Sequence, residues 1–153
     1  MRRDLRSDAG AAAVEFVALT LVLVLPILYL VIAAARVQAG AYAAESGAYA
    51  AARAAVVAGL DTLDAGGSPA SAEGAAEAAA TAAALVVAED FGLDGARVVL
   101  DCEGACLEPG GAVRARVEVT VALPGVPSLV QAVIPARIPL AATAASPVDG
   151  YAP

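Results

Sequence analysis

This chain of 153 residues has no His, no Trp and no Lys; all nine of its basic residues are Arg. Without His it lacks the commonest general base and the commonest metal ligand. Aromatic residues make up only 4%, so large anchors for a deep core or a base-stacking surface are scarce. Charged residues are also few, at 16%, and they are unbalanced, giving a formal net charge of −7. Such a balance excludes nucleic acid as a partner class, because phosphate binding needs clustered cations. No phosphate-binding loop, dinucleotide fingerprint, nucleophile elbow or metal cluster is present, and no carboxylates stand out as an acid–base pair. The expectation is a protein that is not an enzyme and carries no cofactor. What is abundant is apolar: 60% of the residues, with a positive mean hydropathy. That exceeds the usual soluble mixture. The Ala, Gly, Val, Arg and Pro richness also follows from a GC-rich coding bias, so alanine content alone says little about structure.

The longest uncharged run is FVALTLVLVLPILYLVIAAA, Phe16 to Ala35, bracketed by Glu15 and Arg36. Twenty helical residues cover about 30 Å, the thickness of a bilayer's hydrocarbon core. Pro26 sits mid-run, where a membrane helix tolerates it with a kink. Arg2, Arg3 and Arg6 crowd the N-terminal flank, against Arg36 alone on the other side until Arg53. The positive-inside bias puts the N-terminus in the cytoplasm and the chain beyond residue 36 outside. A cleaved secretory signal is a competing reading, with Ala33 and Ala35 as its small-x-small site. The over-long run and Arg36 directly after it count against that reading.

The residues before the run carry the most information. They read Ser7-Asp8-Ala9-Gly10-Ala11-Ala12-Ala13-Val14-Glu15-Phe16. A short basic leader ends in Gly10, and a carboxylate follows five positions later, joined directly to the apolar helix. An ionised group at that boundary is costly unless it has a partner. Gly, four residues, Glu and an aromatic at the start of an apolar helix resembles the processing site of type IV pilin-like proteins. More closely, the chain resembles the TadE-like minor pilins, or pseudopilins, of the tight-adherence (Flp) pilus system. The tract Ala43-Ala44-Glu45-Ser46-Gly47-Ala48-Tyr49-Ala50-Ala51-Ala52-Arg53 is similar to the small-residue stretch after the span in that family. The resemblance covers roughly residues 1–55. It implies cleavage of the Gly10–Ala11 bond by a membrane aspartyl prepilin peptidase on the cytoplasmic face. It further implies assembly through Glu15 and Phe16, and other pilin subunits and a pilus assembly platform as partners. Ala11 is smaller than the bulky apolar residue usual after the cut, and Pro26 lies deeper in the span than in the family pattern. Physically, the cut would free an α-amine on Ala11, with an ordinary pKa of about 8. Glu15 of one subunit would pair with that amine of a neighbour and fix axial register. An uncleaved single-pass anchor with a binding ectodomain remains the alternative, with Glu15 then interacting with the helix dipole.

Beyond the span, a helix is expected to run to about Gly59. Gly40, Ala44, Ala48 and Ala52 line one face, a spacing that permits close helix approach and that alanine bias also produces. Gly66-Gly67 and Ser68-Pro69 mark a break, with Ser68 as N-cap of a second helix over 69–91 that ends at Gly92. Leu85, Val86, Val87 and Phe91 would give that helix its apolar docking end. A short strand begins at Val98-Val99-Leu100. Residues 113–123 alternate, with valines on one side and Arg114, Arg116 and Glu118 on the other, as a half-buried strand does. A last strand near 134–144 contains Pro135 and Pro139, which confine it to an edge. Ser146–Pro153 is expected to be a loose tail. Cys102 and Cys106 would form a disulfide closing a turn between strands in an oxidising compartment. The expected fold class is α+β: a long N-terminal transmembrane α-helix extending outside the membrane, then a second helix and a small antiparallel β-sheet. The organisation is a leader over 1–10, the long helix over 11–60, and a small extracytoplasmic domain over 61–153.

Overall fold

The structure, a computed structural model, describes residues 5–103, 106–125 and 136–149. Helix α1 spans Leu5–Asp64 and α2 Pro69–Asp90. Strands β1 (Ala96–Glu103), β2 (Ala112–Ala122) and β3 (Arg137–Pro147) form one antiparallel sheet in the order β1-β2-β3. The fold is α+β. The chain divides into two compact units, residues 1–35 and 36–153.

In the first unit, α1 from Gly10 to Ala35 is exposed almost throughout; only Ala33 is half-buried. None of its most apolar stretch is buried within the protein. This segment is no core helix of a soluble fold. It is long and apolar enough to cross a membrane, consistent with a single-pass anchor.

The second unit has two layers. The α1 residues from Arg36 onward and α2 cover one face of the sheet. Ala44, Ala48, Ala51, Ala52 and Ala55 of α1 join Ala72, Ala76, Ala80 and Ala84 of α2, and Val113, Ala115, Val117 and Val119 of β2, in one core. Valines are the largest fully buried side chains, and no polar or charged described residue is buried. A buried alanine contributes little apolar area, about 0.8 kcal/mol per buried CH₂-sized group, but it loses no rotamer entropy. Such a core holds together only if the backbones come close. Gly40 and Gly59 show how close: a Cβ at Gly40 would collide with Val121, and one at Gly59 with Leu107.

Gly59 therefore does not end the helix as its sequence context suggests. It is a packing position, and α1 continues to Asp64. There Gly66, at φ +81°, closes the helix with bonds from Gly66 N to Leu63 O (2.9 Å) and Gly67 N to Thr62 O (2.9 Å). The second helix starts as its sequence foretells: Ser68 caps it through Ser71 N, 3.2 Å from its Oγ, with Pro69 at the first helical position. It ends at Gly92 (φ +67°), where Leu93 N reaches back to Ala88 O at 2.9 Å. Its docking surface differs from expectation. The row Ala72, Ala76, Ala80, Ala84, Ala88 is buried, while Leu85, Val86 and Phe91 are exposed. A small-residue core accepts the narrow side of the helix and leaves the bulky side out.

Strand β2 buries Val113, Ala115, Val117, Val119 and Val121 and exposes Arg114, Arg116, Glu118 and Thr120, as its alternation requires. Strand β1 is longer than Val98–Leu100 because every residue from Ala96 to Glu103 finds a partner on β2. Strand β3 is an edge, and Pro139 lies in it opposite Thr120; Pro135 lies outside the described residues. The start of the expected tail is not loose. Ser146 and Pro147 belong to β3, and buried Val148 bonds to Gly111 O at 2.9 Å and accepts from Gly110 N at 3.0 Å. A hydrophobic residue four positions past the expected strand end, Val148, accompanies the extended pairing.

The Cys102–Cys106 disulfide forms, with Cα atoms 5.3 Å apart, in the connection between β1 and β2. Leu107 follows directly. It holds a left-handed backbone (φ +66°) and is buried against Gly59. A leucine there carries roughly 1–2 kcal/mol of backbone strain, which the ring and the Gly59 seat hold in place.

A candidate processing and assembly site on the N-terminal helix

Gly10, Ala11, Glu15 and Phe16 all lie on α1, and all four are exposed. Of the basic leader, Arg2 and Arg3 fall outside the described residues. The helix begins at Leu5, so the Gly10–Ala11 bond lies within helical backbone. Cleavage at this bond would require the helix to open there first. Glycine is the residue that makes this cheapest, destabilising a helix by about 1 kcal/mol relative to Ala. Nothing lies within 4 Å of a Cβ placed at Gly10, and its φ is not positive, so neither packing nor backbone geometry in this chain demands glycine at that position. Gly74 in α2 is equally open.

Ala11 and Glu15 are four residues apart, hence one turn apart on the same helix face, about 6 Å along the axis. Glu15 makes no ion pair or hydrogen bond among the described residues. Thr20 donates its hydroxyl to Phe16 O at 2.8 Å, which satisfies its own polar group inside an otherwise apolar stretch. Phe16 is 70% exposed. The site is therefore a small-residue stretch, a carboxylate with no partner among the described residues and an exposed aromatic, at the head of an uncharged run.

No family model, no curated protein and no solved structure matches this chain. The site is thus read from its own chemistry.

Among the described residues no group of three metal-binding side chains converges. Glu73, Glu77 and Asp101 line a cavity of about 160 Å³ beside the disulfide, with nothing else there pointing to a ligand. The small-residue face Gly40, Ala44, Ala48, Ala52 is buried by the protein's own sheet and second helix. It is therefore used within the chain. Sequence reasoning took Arg114 and Arg116 singly, as solvated strand residues; both are exposed, and Arg116 Nε pairs with Glu118 Oε1 at 3.2 Å. It missed that Arg97 and Arg137 share their face, because only the strand register shows that.

Proposed function

We propose that this protein is a minor pilin or pseudopilin, a structural subunit of a tight-adherence pilus or a related secretion apparatus, of the TadE-like kind. It is inserted with the N-terminus cytoplasmic and residues beyond about 36 outside. A prepilin peptidase cuts it after Gly10, and the apolar helix is retained. The observation that carries this reading is Glu15: a carboxylate without a partner among the described residues, one turn from the residue whose amine the cut would free, at the head of a helical stretch that is exposed almost throughout. In a bundle of such helices, the Glu15 of one subunit meets the Ala11 amine of the next. Removing either charge leaves the other buried and unpaired, at about 3–5 kcal/mol, so mis-staggered subunits are disfavoured. The role is structural, and the peptidase acts on this protein as substrate. Other pilin subunits and an assembly platform in the membrane are its partners.

N-terminal sequencing of the membrane-bound protein, made with and without a prepilin peptidase, tests this. The expected mature chain begins at Ala11 only when the peptidase is present; a chain that still carries the leader in its presence overturns the reading. A second reading is favoured by the unbroken helix through Gly10: an uncleaved anchor displaying a binding domain. Gly10→Ala separates the two. It blocks processing and assembly of a pilin and leaves an anchor unchanged.

A further inference from the structure

The protein is acidic, yet the exposed face of its sheet is not. Among the residues whose exposure is described, that face carries Arg97, Arg114, Arg116 and Arg137 against Asp101 and Glu118, and the register adds Glu103, opposite Ala112. Four of the five arginines that follow Arg36 are on it. Strand register fixes their layout. Arg97 lies opposite Glu118, Asp101 opposite Arg114, and Arg137 opposite Ala122. A shallow groove of about 560 Å³ is lined by Arg97, Arg137, Glu118 and Asp94.

The other side of the same two layers has the opposite sign. Helix α2 exposes Glu73, Glu77, Glu89 and Asp90 and contains no basic residue. The lengths agree as well. Glu73 and Asp90 are about 25 Å apart along the helix, and the levels of Arg114 and Arg137 are about 27 Å apart along β2. Between its charged ends the α2 surface is apolar or small, whereas the sheet face carries the Arg116–Glu118 ion pair midway. Leu85 and Val86 stand out from α2, at 43% and 60% exposure, and Val99 from the sheet at 54%. Beside Val99's neighbour Arg116, the edge strand offers Ala141, Thr143 and Ala145, all exposed, a low ribbon on which a helix can lie.

We propose that the exposed sheet face of one copy docks onto the α2 face of a second copy. Charge complementarity over matched lengths selects this occupant. The two surfaces differ and lie back to back, so the contact is head-to-tail. A heterologous contact that does not close extends into a row. The inference rests on the structural-subunit reading and names the surface by which outer domains meet.

Cross-linking of the full-length protein in membranes tests it. A chain carrying both Val99→Cys and Val86→Cys is expected to give a ladder of disulfide-linked oligomers on oxidation, while each single variant does not. Arg97→Glu with Arg137→Glu should lower the ladder about tenfold, on the scale of one or two charge pairs. Adding Glu73→Arg with Glu77→Arg should restore it. Absence of a ladder from the double-cysteine chain, or a ladder indifferent to the charge reversals, overturns the proposal. A protein cut after Gly10 that forms no ladder sinks this contact and leaves the pilin reading standing; one that forms the ladder but is never cut does the reverse.

Discussion

Helix α1 runs through two environments, and its composition changes where they change. Up to Ala35 its side chains are large and apolar: Leu19, Leu23, Leu25, Ile27 and Leu30 are all exposed. From Arg36 onward the buried positions are Gly and Ala, with Val56 the largest. The bulky half is exposed almost throughout; the small half is packed on one side along its length. Hydrophobicity and burial are thus inverted between the halves. A lipid phase needs area and does not care about shape, whereas a packed protein interior needs fit. The difference shows that the apolar run is built for an outside phase and the alanine tract for an inside one.

That comparison can be broken most sharply by exchanging the demands. Leu25→Arg places a charge at the middle of the span, at about 3 kcal/mol on insertion scales. Membrane fractionation should show loss of integral association, while the thermal unfolding of the outer domain is unchanged. Next, Ala48→Leu forces a large side chain into a fully buried position and should lower stability by about 2 kcal/mol. Ala18→Leu, the same change in the first half, should leave denaturant unfolding untouched. Equal effects from the two would erase the distinction. Opening the Cys102–Cys106 ring with Cys102→Ala and Cys106→Ala should lower the unfolding midpoint by an amount equivalent to about 2 kcal/mol, again in the second unit alone. Smallest is Ser68→Ala, which removes the hydroxyl cap from α2 for about 1 kcal/mol. Calorimetry of the purified protein in detergent would resolve it.

Much of this was legible in the sequence, for reasons that differ by element. The β2 alternation is local and strong, so its buried valines could be assigned residue by residue. The caps of α2 are chemistry confined to Ser68, Pro69 and Gly92, and they hold. The disulfide follows from two cysteines four positions apart in sequence. What was not legible depends on partners far along the chain. Gly59 looks like a terminator until Leu107 is seen against it. Alanine rows look like coding bias until β2 covers them, and the real docking stripe of α2 hides behind its more conspicuous Leu85 and Val86. Val148 looks like tail until it pairs with Gly111. At the candidate site, Gly10, Ala11, Glu15 and Phe16 were legible as a pattern. Their exposure and the unpartnered state of Glu15 among the described residues came from the structure. The shared face of Arg97, Arg114, Arg116 and Arg137 required the register of three strands.

The aromatic-free interior has an optical consequence. With no tryptophan, and with Tyr42, Tyr49 and Phe91 all exposed, the aromatic chromophores among the described residues of the second unit hardly sense whether it is packed. Fluorescence would pass through unfolding almost silent. Methyl resonances of Val113, Val117 and Val121 are the natural reporters instead, because these side chains sit where the helices and sheet press together and their shift dispersion collapses the moment that compression is released.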